Sequence, residues 1–258
     1  DELVQKYHLA FPDAETLGPA LLVYLRLARA SQLDHILITD TNLRDGLLND
    51  MAVHGTTSDE FDNQIIRSAI DLGSKFDFDE PHAKHVADLS RILFRELKSE
   101  HQLEPRYEVI LVAAALLHEI GMFVSSRSFH KHTMYLIVNS ELFGLSEKDV
   151  LSVSLVSRYH RRASPKPTHQ GYATLSREDR IAVTKMAALL RVADALDHSH
   201  SQRVHEMTCE IEENRLVIAI PSVEDLSLEQ LALRQKGSLF EEIFGLSILL
   251  RTAHVVRT

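Results

Sequence analysis

The stretch that most constrains the fold of this chain is EVILVAAALLHEIG, residues 108–121. Its apolar, helix-forming residues lead directly into His118 and Glu119, and Gly121 follows as a residue that ends helices. Leu111 and His118 are seven residues apart and therefore share one helical face. Burying an imidazole and a carboxylate is costly unless they are paired, hydrogen-bonded or bound to a metal. The rest of the chain must supply partners for these two side chains.

Composition limits the classes of partner. The 258 residues carry a net charge of −9, which argues against a protein devoted to nucleic acid or to an anionic membrane surface. A single cysteine, Cys209, excludes an internal disulfide and favours the cytoplasm. The sequence has no signal peptide and no apolar run of about eighteen residues. We expect a cytoplasmic protein with no membrane and no specific nucleic-acid partner. Because the chain opens on Asp1 in mid-pattern, we also expect a fragment of a longer protein.

The coarse pattern predicts three domains. Residues 1–55 read as a helix at 19–31, a short strand at 35–39 and a second helix at 43–51, which is the order of an α/β layer. Residues 56–204 read almost entirely as helix, and residues 205–258 as a small β-β-α-β unit. The predicted fold is therefore mainly α. The predicted helices of the central domain are 59–76, 81–99, 106–120, 131–141, 146–160 and 177–197, and the predicted C-terminal elements are strands 207–213, 215–220 and 246–251 with a helix at 226–243.

Three helices present metal-ligand residues on apolar faces. His82 opens one helix, His118 and Glu119 end a second, and Asp194 lies on the apolar side of a third. Taken singly, each has an ordinary explanation: a hydrogen-bonded core histidine, a helix cap, or an ion pair of Asp194 with Arg191 or His198. Together the two imidazoles and two carboxylates suit a divalent ion such as Mg, Mn, Fe, Co or Ni better than a structural zinc. Such an ion activates water and neutralises phosphoryl oxygens.

A second set of residues is basic. No acid occurs between Leu151 and Ala173, so the cations of this region have no neighbouring carboxylate in the sequence. Arginine and lysine are the natural ligands of phosphate oxygens. A solvated face paired with distant acids is the alternative for any one of them. The set predicts a polyanion-binding surface formed by Lys131, His132, Arg158, His160, Arg161 and Arg162.

The ordered series His82, His118-Glu119 and Asp194 resembles the HD superfamily of metal-dependent phosphohydrolases. More specifically, the chain resembles the C-terminal half of the exopolyphosphatase/guanosine pentaphosphate phosphatase family. The similarity covers nearly all of the chain, and ITDTNLRDGLL looks like the closing segment of that family's second actin-like domain. The matching stretches lie at residues 38–48, 116–121, 130–140, 157–162 and 189–199.

The resemblance implies a phosphoanhydride hydrolase that releases orthophosphate from inorganic polyphosphate or guanosine pentaphosphate. In that family the main catalytic site lies between two actin-like domains, so we expect it upstream of residue 1. The region in hand would then contribute polyanion binding, dimerisation or regulation. One departure concerns the metal ligands. Glu119 stands where the family usually has aspartate, and its extra methylene displaces the carboxylate.

Two other interpretations remain open. In one, the helical domain is itself a metal-dependent nucleotide phosphohydrolase using Mg or Mn, with Lys131 and Arg161 holding the phosphates. In the other, the chain is a non-catalytic regulatory module. The apolar faces of helices 59–76 and 226–243 would then form a homodimer.

Overall fold

The structure is a computed structural model that describes residues 11–33, 35, 59–161, 163–221 and 223–252. The chain divides into two compact units, Asp1–Gly55 and Thr56–Thr258. In the first unit, helix α1 spans Phe11–Ala30. It begins eight residues earlier than predicted and includes Pro19 in its interior, where proline removes one helical hydrogen bond. Apart from His35, the strand predicted at 35–39 and the helix predicted at 43–51 lie outside the described residues.

The second unit is mainly helical, as the sequence predicts. Every predicted helix of residues 59–197 is present, with ends that differ from the prediction by a few residues. Short 3₁₀ turns occur at Ile120–Phe123 and Tyr172–Thr174. The helices are α2 (Asp59–Lys75), α3 (Glu80–Glu96), α4 (Lys98–His101), α5 (Tyr107–Leu117), α6 (Phe129–Val138), α7 (Glu147–Arg158) and α8 (Arg177–Leu196).

Polar side chains determine where the main helices begin. Ser146 forms a capping box with Asp149, in which each side chain accepts a hydrogen bond from the other residue's backbone N–H. Ser176 accepts a hydrogen bond from the backbone N–H of Asp179 in the same way at α8. In both caps a serine is followed three residues later by an aspartate, which is a sequence pattern typical of helix N-termini. Asp79 caps α3 through the backbone N–H of His82 at 3.2 Å, which ties the first candidate ligand to a defined helix start.

Two helices form the centre of the unit. Every residue of α5 from Val109 to Leu117 is buried, and α5 contacts α2, α3 and α7. Helix α8 is buried from Met186 to Leu196 and contacts α3, α5 and α7. A helix that is apolar on all sides lies in the interior of a protein. The ends of α5 and α8 therefore deliver His118 and Asp194 to the interior.

The C-terminal segment forms a three-stranded sheet in the order β1-β2-β3, with β1 at Thr208–Glu212, β2 at Arg215–Ile220 and β3 at Ser247–Thr252. Strands β1 and β2 pair antiparallel, and β2 and β3 pair parallel. Where one helix was predicted at 226–243, two occur, α9 (Ser227–Lys236) and α10 (Ser238–Phe244). The break falls at Gly237, where a Cβ would lie 2.7 Å from the carbonyl oxygen of Leu233.

Helices α9 and α10 both pack on α8, so the C-terminal segment shares the core of the second unit. A domain boundary at residues 204 and 205 stays a prediction. The apolar side chains Ile65, Leu72, Leu239 and Phe240, on the faces considered for a dimer, are buried inside this unit. No helix among the described residues combines the length and apolarity needed to cross a membrane.

His101 makes the stability of this unit depend on pH. Its ring is fully buried; Nε2–H donates to the carbonyl oxygen of Phe94 at 2.6 Å, and Nδ1 accepts from the backbone N–H of Leu103 at 2.9 Å. Burial, with Lys185 and Lys98 nearby, lowers the pKa of His101. The unfolded chain therefore binds a proton at His101 more readily than the folded chain does. The free energy of unfolding that this residue contributes is full above about pH 6.5 and falls as the pH is lowered.

We expect the urea midpoint to fall between pH 7.5 and pH 5.5. The His101→Gln variant should lose about 1–2 kcal/mol at pH 7.5, from weakened hydrogen bonds, and show a shallower pH dependence. Equal pH dependence in the variant and the parent would contradict the assignment.

Candidate functional site

Helix α5 ends at Leu117, four residues before Gly121, which corrects the expectation that Gly121 ends it. His118 still has helical backbone angles, φ −61° and ψ −24°, whereas Glu119 departs to φ −111° and ψ 1°. The chain then forms the 3₁₀ turn. The side chain of Thr133 fastens this turn, because its Oγ1 accepts from the backbone N–H of Gly121 at 3.0 Å and donates to the carbonyl oxygen of His118 at 3.2 Å.

The function of Gly121 is to allow a close approach between two backbone segments. A Cβ at this position would collide with the carbonyl oxygen of Phe129 and the backbone nitrogen of Thr133 at the start of α6. Because both obstacles are backbone atoms, neither can rotate away. The glycine therefore allows α6 to lie against the turn that carries His118 and Glu119.

His82 and His118 each hold one ring nitrogen in a hydrogen bond and leave the other without a partner. Nδ1 of His82 lies 2.8 Å from Oδ2 of Asp197, and Nδ1 of His118 lies 2.7 Å from the carbonyl oxygen of Ala115. Both acceptors place the proton on Nδ1. The Nε2 atoms are buried and have no hydrogen-bond partner. A neutral imidazole oriented in this way through its other nitrogen is the usual form of a metal-ligating histidine.

Asp194 completes this group. Its Oδ1 lies 3.9 Å from Nε2 of His82 and 3.9 Å from Nε2 of His118. The carboxylate is 3 % exposed, and the three ligand atoms lie within 4.8 Å of one another. Three residues from distant parts of the sequence thus meet in the interior, and their donor atoms fit a divalent cation. We call His82, His118 and Asp194 the ligand trio.

Glu119 is not part of the ligand trio. Its half-buried carboxylate instead groups with His82 and His200, with one ligand atom of each within 4.8 Å of the others. The ring of His200 stacks on the ring of His82 at 3.6 Å between centroids, and its Nδ1 lies 2.8 Å from Oδ2 of Asp79. Sequence analysis missed His200 and Asp197. The i, i+3 spacing of Asp197 from Asp194 was the available signal.

Lys236 is a third residue that sequence analysis missed. It is the last residue of α9, and its Nζ donates to Oδ2 of Asp194 at 2.6 Å. Burial alone would raise the pKa of Asp194, but the charge of Lys236 and the nearby His118 outweigh it, so the pKa lies well below the usual range. The ion pair of Asp194 with Arg191, the alternative considered above, does not occur. No motif around Asp194 indicates a lysine 42 residues downstream.

Arg191 stabilises the loop that follows α7. The side chain is 1 % exposed, donates from Nε to the carbonyl oxygen of Tyr159 at 2.7 Å and donates from Nη2 to that of Ala163 at 2.8 Å. Burial lowers the pKa of Arg191 to about 10. His160 and Arg161 lie between the two carbonyl groups, so α8 determines the position of the loop that carries them.

Asp194 of the ligand trio lines a cavity of about 290 Å³ that also contains basic side chains. Arg161 lies over the ring of Phe129, 4.8 Å from its centroid, and the rings of His160 and His118 are 5.0 Å apart. Burial lowers the pKa of His118 and of His160, so both rings are neutral at pH 7. The two sets of residues predicted separately therefore meet here. The cavity is lined by Glu119, Phe129, His160, Arg161, Asp194, His198, His200, Gln235 and Lys236.

The other predicted basic residues surround His130. Burial and then the charges of Arg161, Arg158, Lys131 and His132 lower the pKa of His130, which indicates a positive potential at this ring. Nη1 of Arg158 lies 3.1 Å from the sulfur of Met134. Arg162 lies outside the described residues. We call Lys131, His132, Arg158 and Arg161 the basic cluster.

This combination of a histidine–aspartate trio with a basic cluster can be compared with known proteins. The sequence model described as Ppx/GppA phosphatase, domain III, matches residues 66–253. The chain belongs to the Ppx/GppA phosphatase family. The match confirms the family resemblance inferred from the sequence, and it runs without interruption from α2 to the end of the described residues.

Two curated relatives carry the printed name guanosine-5'-triphosphate,3'-diphosphate pyrophosphatase. The protein from Aeromonas hydrophila subsp. hydrophila is 30 % identical over 190 residues, which is 72 % of this chain and 37 % of that protein. The protein from Aliivibrio fischeri strain ES114 is 27 % identical over 192 residues, 74 % of this chain and 36 % of that protein. The chain thus matches little more than a third of the length of these relatives.

The contact between Gly121 and α6 is testable by substitution. Gly121→Ala should destabilise the second unit by about 2–3 kcal/mol, because backbone must move to admit the Cβ. Gly18→Ala is the matched control, since nothing lies within 4 Å of a Cβ there and alanine favours a helix interior. Equal denaturation midpoints for the two variants would contradict this account of the turn.

Proposed function

We propose that this chain is the C-terminal region of a phosphoanhydride hydrolase that releases orthophosphate from guanosine pentaphosphate, inorganic polyphosphate or both. Its own contribution would be to bind the polyanion. The observation that carries this proposal is the position of Arg161, which lines the cavity of the ligand trio and also belongs to the basic cluster. The printed name of the relatives supports a guanosine polyphosphate as the substrate class.

The geometry suits a chain of phosphates better than a single one. Arg161 presents a guanidinium over the ring of Phe129, and its N–H groups suit bidentate contact with phosphoryl oxygens. Lys131 and His132 lie on α6, and Arg158 ends α7, so further cations extend away from the cavity. No carboxylate of the described residues lies within ion-pair distance of Arg161.

The proposal predicts that Arg161→Glu weakens the binding of polyphosphate and of guanosine pentaphosphate by at least about tenfold, because attraction becomes repulsion at the cavity. The measurement is isothermal titration at two salt concentrations, and the loss should be smaller at high salt. Arg177→Glu is the matched control, because it makes the same change of charge at an exposed residue that lines a different cavity. Equal affinity of the Arg161→Glu variant and the parent protein would refute the assignment.

A second candidate function is favoured by the unpartnered Nε2 atoms of His82 and His118. In this candidate the helical region is itself a metal-dependent nucleotide phosphohydrolase, with His82, His118 and Asp194 as ligands and Glu119 beside them. A divalent ion such as Mg or Mn would lower the pKa of a bound water and neutralise phosphoryl oxygens. His82 and His118 would hold neutral nitrogen ligands toward it, and Arg161 would orient the phosphates.

This candidate predicts that His118→Ala abolishes any nucleotide hydrolysis by the purified chain and lowers its content of bound divalent metal. Metal analysis of the chain at equilibrium with excess Mg²⁺ or Mn²⁺, together with phosphate release from guanosine pentaphosphate under the same conditions, measures both. The candidate is wrong if the parent chain retains polyphosphate binding but carries no metal and releases no phosphate.

We also propose that the chain forms a homodimer and acts in the cytoplasm. The apolar residues of α2 and α10 named above are buried, whereas Leu228 and Leu231 of α9 are exposed, so the proposed contact uses these two leucines. The molecular mass in solution, with and without polyphosphate, tests it.

A further inference from the structure

Lys236 forms an ion pair with Asp194 that the metal interpretation does not explain. Asp194 has two carboxylate oxygens with different neighbours: Oδ1 faces the Nε2 atoms of His82 and His118, whereas Oδ2 receives Nζ of Lys236 at 2.6 Å. The lysine side chain is 20 % exposed and the aspartate side chain 5 %. A full positive charge therefore already neutralises the carboxylate of the ligand trio.

Binding a divalent metal beside the Lys236 ammonium, at the same buried carboxylate, has an unfavourable electrostatic free energy. The repulsion between an ammonium and a divalent ion a few ångströms apart is large in an interior of low effective dielectric constant. The groups that face Oδ1 of Asp194 are the imidazoles of His82 and His118, at 3.9 Å each, and an imidazole supplies no compensating negative charge. Glu119 is the other carboxylate of the cavity, and it groups with His82 and His200, not with Asp194.

The position of Lys236 is set by the C-terminal segment. Helix α9 packs on α8, the helix that carries Asp194, and the chain turns at Gly237 directly after the lysine. A Cβ at Gly237 would lie 2.7 Å from the carbonyl oxygen of Leu233, so this turn depends on glycine. The ammonium is therefore a fixed part of the site, held where two helices meet.

We propose that Lys236 is a built-in cation that competes with a divalent metal for Asp194, so that the C-terminal segment sets the metal affinity of the cavity. This inference rests on the metal-binding part of the proposed function and adds a residue that controls it. In the unaltered chain the ammonium supplies the charge that a metal would otherwise supply, and metal binding is weak.

The test is Mn²⁺ binding by the whole chain, measured by titration with electron paramagnetic resonance detection. Replacing Lys236 with glutamine should tighten Mn²⁺ binding by about tenfold or more, because it removes the competing charge. The melting temperature of this variant should also rise with Mn²⁺, since the metal binds only the folded state. Lys236→Arg keeps the charge and should behave like the parent. Arg234→Gln, on the same helix, should leave Mn²⁺ affinity unchanged.

The outcomes separate this inference from the proposed function. If Lys236→Gln and the parent bind Mn²⁺ with equal affinity, and adding His118→Ala to either one abolishes that binding, the inference is overturned and the metal site stands. Absence of Mn²⁺ binding in every variant would overturn both. Should Lys236→Gln not fold, Lys236→Met takes its place, because methionine also removes the ammonium while it keeps an unbranched side chain of similar length. Tighter Mn²⁺ binding in that variant than in the parent supports the inference, and equal binding overturns it.

Discussion

The carboxylate of Asp194 is buried among two imidazoles and one ammonium, and the arrangement of the second unit follows from this environment. An unpaired carboxylate in this position would be costly, so its neighbours must be held in place. His82 is oriented by Asp197, His118 by the carbonyl oxygen of Ala115, and Lys236 by the packing of α9 on α8. Helices α3, α5, α8 and α9 thus converge on one charge.

The region around Asp194 combines two kinds of chemistry in one cavity. The Nε2 atoms of His82 and His118 provide lone pairs suited to a cation, whereas Arg161 and Lys236 provide positive charge suited to an anion. A site with both properties can hold a phosphate group with a metal or without one. The lysine from the C-terminal segment favours the second arrangement, which is consistent with a region that binds a polyanion.

Much of the helical fold could be predicted from the sequence. The apolar run of residues 108–117 and the caps at Ser146 and Ser176 are local signals, because each depends on neighbouring residues only. The end of α5 was placed too late, since Gly121 serves a contact with Phe129 and Thr133 rather than a helix end. Such close approaches between distant segments leave no local pattern.

The members of the candidate site could be predicted in part. His82, His118 and Asp194 lie on apolar faces in the order of a known family, and the structure brings them together. Glu119 was grouped with them, but its carboxylate lies with His82 and His200. Lys236 could not be predicted, because its distance from Asp194 depends on how α9 packs on α8. The cavity that Asp194 and Arg161 share could not be predicted either, because it also depends on how separate segments pack together.

The most direct test of this account is a crystal structure of the chain soaked with tungstate, a phosphate analogue located by its anomalous scattering. We predict a tungstate ion within hydrogen-bond distance of the guanidinium of Arg161, in the cavity that also contains Lys236 and Asp194. Tungstate bound instead beside Arg177 and Arg180, with no ion at Arg161, would contradict the claim that this cavity binds phosphate.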